Sequence, residues 1–302
     1  MKANRKLAVL RSVKNLKRGT LDVLYKLTVR SVIDYSLPVF FNHLKQSDIA
    51  RLEQIQYKAA KLVTGALHFT SKEKINSELG WESIYSRSQI LGLSLFHKIH
   101  LGLTRPLITT IKPDLVIKTV NTRQKASYKP FPYTHSKMHK SFYPHFTKSW
   151  LALHPSIQSI NDINEFKTQL KLSIKPARHK HLSKGSKLGN KLLTQLRVGR
   201  SYLNEHSFTL GLSDTTSCSC TSPHESVSHY LLDCPLYTRD RLTLLGQVAH
   251  HITTFHTFPK KRKLDILLHG YYSNNPDYYH INISLQYHVQ NFVLKTKRFT
   301  PD

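Results

Sequence analysis

Cys218-Ser-Cys220-Thr-Ser-Pro-His-Glu225-Ser-Val-Ser-His229-Tyr-Leu-Leu-Asp-Cys234 holds every cysteine of the 302-residue chain. The spacing is C-x-C-x₈-H-x₄-C. Three thiolates and one imidazole make a full tetrahedral donor set for zinc, of the Cys₃His structural class. Pro223 and Glu225, followed by Val227, Tyr230, Leu231 and Leu232, suit a loop running into a short helix. His229 and Cys234 then stand a turn or so apart on roughly one side of that helix. With four protein donors, no position is left open for water, so the pattern reads as a structural knuckle rather than a catalytic metal site. A disulfide leaves one cysteine over, and Cys218 and Cys220 are too close in sequence to bridge well. Two alternatives stay open at this level: three structural thiols without metal, and His224 in place of His229 as the nitrogen ligand.

The charge points the same way as the knuckle. Forty-five Lys and Arg face 18 acids, giving a net charge of +27 and a pI near 10.0. That excess is more than solubility requires and implies a polyanionic partner, nucleic acid before membrane. No apolar run approaches the roughly 20 residues of a spanning helix. Leu7 to Leu10 is too short for a signal-peptide core. Few cysteines in a metal-like spacing fit a reducing, intracellular compartment.

From residue 1 to about 104 the apolar residues recur at helical steps. Leu21, Leu24, Tyr25, Val29, Val32 and Ile33 form one stripe, which Pro38 is expected to close. Ser47 and Asp48 suit the start of a second helix that stops at Gly65. A third is expected from about Ser83 to Leu101, with Ile84, Ile90, Leu91, Leu95 and Ile99 inside. Between Arg105 and Arg200 the texture changes: seven prolines, 19 Lys or Arg, and 3 acids. Aromatics interleave with the cations at Tyr128, Phe131, Tyr133, Phe142, Tyr143, Phe146 and Trp150. Cations hold phosphates while ring faces stack bases, so this mixture suits single-stranded nucleic acid; rings packed on neighbouring helices are the alternative. Lys129, Lys137, Lys140, Arg197 and Arg200 are the candidate phosphate contacts. Helices are expected from Asp162 to about Ile174, over Leu188–Tyr202, after Cys234, and over Tyr278–Phe299. Pro259 and the four cations Lys260 to Lys263 read either as a nuclear-import cluster or as a phosphate-contacting helix start.

Two sets of residues carry a family resemblance. Cys218, Cys220, Glu225, His229, Leu231, Leu232, Cys234, Pro235, Tyr237 and Arg241 resemble the C-terminal knuckle of non-LTR retrotransposon (LINE, jockey-like) reverse transcriptases. Thr221 stands where that family usually has glycine. Leu24-Tyr25-Lys26, Asp34-Tyr35, Pro38, Leu52 to Gln56, Ala59-Ala60-Lys61, Thr64-Gly65, Leu79-Gly80-Trp81 and Arg87 resemble the thumb of the same enzymes. Phe142, Trp150, Leu153, Pro155, Phe166 and Leu170 resemble the region between them, with Leu151 where the family has asparagine. The resemblance implies a thumb-like helical bundle and a zinc knuckle that hold template RNA and target DNA during reverse transcription. It spans roughly Lys2 to Arg241.

Polymerisation needs metal ions held by acids, which that family supplies from an aromatic-x-Asp-Asp turn. This chain has no Asp-Asp pair and no Gly-rich phosphate loop with a following lysine. No catalytic residue and no small-molecule substrate are therefore expected. The sequence leads to a mainly α protein. It has a helical bundle over 1–104, an irregular basic connector over 105–185 and a small helical zinc-knuckle domain over 186–302. Its expected role is the nucleic-acid-binding part of a retrotransposon RNA-directed DNA polymerase, in a nuclear or cytoplasmic ribonucleoprotein. A stand-alone, element-derived RNA-binding or assembly protein is the second reading. A nuclease with dispersed acids is the third.

Overall fold

A computed structural model describes residues 2–105, 115–117, 126–128, 138–174, 180–272 and 278–299. The described chain is mainly helical. Its longer helices are α1 (Lys2–Ser12), α2 (Arg18–Tyr25), α3 (Gln46–Thr64), α4 (Lys72–Leu79), α5 (Ile84–His100) and α6 (Phe142–Leu151). They continue as α7 (Ile163–Ile174), α8 (Lys187–Arg197), α9 (Thr238–His251), α10 (Lys260–His269) and α11 (Tyr278–Lys295). A small antiparallel ribbon pairs β1 (Leu115–Ile117) with β2 (Ala126–Tyr128), Leu115 opposite Tyr128.

Local chemistry explains most of these limits. Ser83 caps α5, its hydroxyl accepting the Ser86 N–H at 3.0 Å. Gly65 ends α3 with φ of 68°, a left-handed stop that L side chains resist. The expected closure at Pro38 is corrected: α2 passes through a π-turn (Lys26–Arg30) into Ser31–Asp34, and Ser36 turns left-handed with φ of 56°. Pro38 instead sits in the first turn of the short helix Leu37–Phe40, where its missing N–H costs nothing.

The chain folds into two compact units, each assembled from separated stretches. The first comprises Met1–Asn4, Thr28–Gln56 and Glu82–Ala177. Its core joins α5, α6 and α7 through Ile90, Leu93, Phe96, Phe146, Trp150, Phe166 and Leu170. Gly92 is required here, because a Cβ would stand 1.9 Å from Cζ of Phe146. His97 is fully buried and stacks on Phe166 at 3.8 Å, and burial pulls its pKa below the usual value. Arg87 grips both carboxylate oxygens of Asp34, Nε on Oδ1 at 3.2 Å and Nη2 on Oδ2 at 2.7 Å.

The connector is less irregular than expected over Phe142–Leu151, where α6 forms, while the helix expected from Asp162 to about Ile174 is present as α7. Pro144 falls in the first turn of α6, where proline is tolerated, so the proline-rich texture does not prevent a helix. The rings of Phe146 and Trp150 accordingly serve the core rather than stack bases.

The second unit comprises Arg5–Leu27, Tyr57–Trp81 and Arg178–Asp302. Leu192, Leu193, Leu196, Leu231, Leu244, Val248, Ile266, Leu285, Val289 and Phe292 fill its core between α8, α9, α10 and α11. One side of α11 is polar yet buried: Asn282, Gln286 and Gln290. Gln286 and Gln290 both donate to Asn190 Oδ1 on α8, at 3.3 and 3.4 Å, while Asn282 closes two hydrogen bonds on Tyr271. Such a ladder fixes the register of two helices, since any slip leaves amides unpaired. Trp81 stacks on Tyr25 at 4.0 Å and donates its indole N–H to Asp22 at 2.8 Å.

Glu78 ties this unit together. Arg18 reaches its Oε1 at 2.8 Å and Arg197 its Oε2 at 3.0 Å, and Arg18 also donates to the Thr194 hydroxyl. Burial pushes the Glu78 carboxyl upward, but Arg197 and Arg18 outweigh it and hold it at about 2. Because the folded pKa is below the unfolded value of about 4.3, this stabilisation is complete above that pH. It is lost as pH falls towards about 2. Glu78→Gln leaves two buried guanidinium groups without a counter-charge and is expected to cost about 3–5 kcal/mol in urea unfolding. A loss below about 1 kcal/mol, the range of exposed pairs, contradicts this role.

Candidate metal centre

The knuckle begins in a turn whose backbone closes on itself. The Thr221 N–H donates to the Cys218 carbonyl at 2.9 Å, and the Cys218 N–H to the Ser222 carbonyl at 2.9 Å. Thr221 carries φ of 72°, so this β-branched residue adopts the left-handed backbone that glycine takes without strain. The second half is a π-turn, His229–Asp233, with the Cys234 N–H donating to the His229 carbonyl at 2.8 Å. In an α-helix residues five apart point about 140° from each other. The wider winding explains how an x₄ spacing brings His229 and Cys234 together.

The four donor atoms of Cys218, Cys220, His229 and Cys234 lie within 4.8 Å of one another. The Sγ atoms of Cys218 and Cys234 are 3.7 Å apart, and Cys220 Sγ is 3.2 Å from His229 Nε2. A disulfide needs about 2.05 Å, so the thiols are free. A tetrahedral ion with metal–sulfur bonds of about 2.3 Å spaces its sulfurs about 3.8 Å apart, close to what is seen. His224 is exposed and lies outside the cluster, so His229 is the histidine that stands with the three cysteines.

Cys218 and Cys234 are buried while Cys220 and His229 are partly exposed. Burial pushes the Cys234 thiol up to about 12 and raises Cys218 as well. A hydrogen bond from the Ser222 backbone lowers Cys220. Two of three thiols therefore resist ionisation when no cation is bound, and a divalent cation would allow three thiolates to coexist there. The residues present fit such an ion and leave no obvious position for substrate.

One contact was not visible in the motif. Glu225, 2% exposed, receives Arg298 Nε on Oε1 at 2.6 Å and Arg298 Nη2 on Oε2 at 2.5 Å. Its Oε2 also accepts the Asn204 N–H at 2.7 Å, and its Oε1 lies 4.0 Å from Cys218 Sγ. Glu225 could be noted from the knuckle pattern; Arg298 carries no sequence signal.

The candidate phosphate contacts fare differently. Lys129 and Lys137 lie outside the described residues. Lys140 is exposed, and Arg200 is partly exposed with Nη1 3.3 Å from the Thr209 hydroxyl. Arg197 is corrected: its side chain is 1% exposed and committed to Glu78, so it offers nothing to a phosphate. Of the basic cluster, Lys260 pairs with Asp233 at 2.6 Å at the start of α10. Among the described residues no helix is long and apolar enough to cross a membrane.

No family of known proteins, no curated protein and no solved structure matches this chain.

Thr221→Gly removes a left-handed strain of about 1–2 kcal/mol and adds roughly 0.5–1 kcal/mol of unfolded-state entropy. The net expectation is a higher melting temperature for the second unit with metal affinity kept. A lower melting temperature contradicts the turn described.

Proposed function

We propose that this chain is a zinc-stabilised protein that binds nucleic acid with little sequence preference, as the thumb and knuckle part of a LINE-type reverse transcriptase. The observation that carries the nucleic-acid reading is the net charge of +27, with 19 Lys or Arg against 3 acids between residues 105 and 200. The donor set supports the choice of zinc: three cysteine sulfurs and one imidazole with their donor atoms within 4.8 Å of one another favour a structural zinc ion over hard cations. The ordered thumb and knuckle residues support the retrotransposon reading. In that reading the chain grips template RNA and target DNA inside an intracellular ribonucleoprotein. It has no enzymatic role of its own, since no paired aspartates are present to hold catalytic ions.

The second reading, a stand-alone element-derived RNA-binding protein, keeps the same zinc site and the same surface chemistry. An upstream open frame encoding an aromatic-x-Asp-Asp turn separates the two. Its presence favours the polymerase part, its absence the stand-alone protein.

Binding to a fluorescent single-stranded RNA across a salt series tests the shared core of both. Each neutralised phosphate contributes a slope of about −0.7 in log affinity against log salt. A slope steeper than about −3, reduced in Lys140→Glu and in Arg200→Glu, is expected for contacts to four or more phosphates. Salt-independent binding, or no binding at low salt, rules the function out. Arg197→Gln is expected to act on stability instead, because its guanidinium is buried on Glu78.

A further inference from the structure

After α11 the backbone turns at Lys297, whose φ of 50° is left-handed, and the segment Thr296–Phe299 folds back on the knuckle. Thr296, Arg298 and Phe299 each reach the knuckle. Thr296 Oγ1 meets the Tyr230 hydroxyl at 2.6 Å, the Phe299 ring lies 5.3 Å edge-on to Tyr230, and Arg298 grips Glu225. Arg298 also donates to the Tyr202 carbonyl at 3.1 Å and to Asn204 Oδ1 at 3.2 Å. Tyr230 follows ligand His229 directly, and Glu225 stands 4.0 Å from the sulfur of ligand Cys218.

The charges make this more than packing. A divalent ion held by three thiolates and a neutral imidazole carries a net charge of −1, and the buried Glu225 carboxylate adds another negative charge beside it. Like charges at that distance oppose each other strongly where water is excluded. The Arg298 guanidinium, bidentate on Glu225, is the cation that cancels the repulsion.

We propose that the segment Thr296–Phe299 is a clasp coupled to the metal: Arg298, through Glu225, positions and neutralises the surroundings of Cys218 and so sets metal affinity. Linkage makes the effect mutual, so metal loading tightens the clasp by the same factor that the clasp tightens the metal. The proposal rests on reading the four-residue cluster as a metal centre.

Cobalt titration of the full chain, followed by zinc competition, tests it in the unaltered protein, in Arg298→Gln, and in the double variant Glu225→Gln with Arg298→Gln. Arg298→Gln is expected to bind about 10- to 100-fold more weakly, the range seen when partners of metal ligands are removed. The thiolate-to-cobalt band keeps its position, because the ligands are unchanged. The double variant recovers most of the loss, since it removes the uncompensated carboxylate together with its cation. Unchanged affinity in Arg298→Gln, or a double variant as weak as the single one, overturns the clasp. If Arg298→Gln does not fold, a folded, metal-binding double variant supports the proposal and a second failure overturns it. Absence of a thiolate-to-cobalt band in the unaltered protein removes the metal centre itself. A normal band with equal affinities removes only the clasp.

Discussion

Closure of four donor atoms around one point is the constraint on which the C-terminal part of this chain depends. The loop from Thr216 to Glu225 supplies few apolar side chains, so hydrophobic burial alone gives it little reason to hold one shape. The Cys218 thiol that resists ionisation, a threonine held left-handed and a buried carboxylate all gather within that short stretch, and a second such thiol, Cys234, faces it. Each is unfavourable in isolation. A divalent ion bound there would reconcile them, because metal binding to such a site is itself folding free energy. The π-turn at His229–Asp233 then hands the order of the site to Tyr230 and Leu231, both fully buried in the core of the second unit.

A second buried charge performs the corresponding task further from the metal. Glu78 accepts from Arg18 and from Arg197, residues that lie far apart in sequence but belong to one compact unit. An ion group of this kind adds little to stability compared with an apolar replacement, but it strongly penalises any arrangement that leaves one member alone. The amide ladder of Asn282, Gln286 and Gln290 works by the same penalty along α11. The two devices specify which strands of chain meet, while the leucines and aromatics supply the driving force.

How much of this was legible depends on what a residue type can announce. The cluster of Cys218, Cys220, His229 and Cys234 was readable because cysteine is scarce here and the spacing leaves no good bridge. The helix α5 was readable from Ser83 and the apolar period that follows it. Arg197 was misread because an arginine in a basic chain looks the same whether it faces phosphate or a buried glutamate 119 residues away. Helix α6 was hidden by Pro144, which sequence reads as a breaker until its place in the first turn is known. For Phe146 and Trp150, interleaved with cations, the sequence left base stacking and helix packing both open, and the packing of α5, α6 and α7 shows that they are core. The polar side of α11 and the Arg298 contact depend on partners distant in sequence, and no local pattern encodes them.

Metal content measured together with thermal unfolding tests the central claim most directly. Protein purified without added chelator should carry about one zinc per chain. Stripping that metal should abolish the cooperative transition of the second unit while the core of α5, α6 and α7 still melts as before. Sub-stoichiometric metal, with a melting profile indifferent to chelator, contradicts the account.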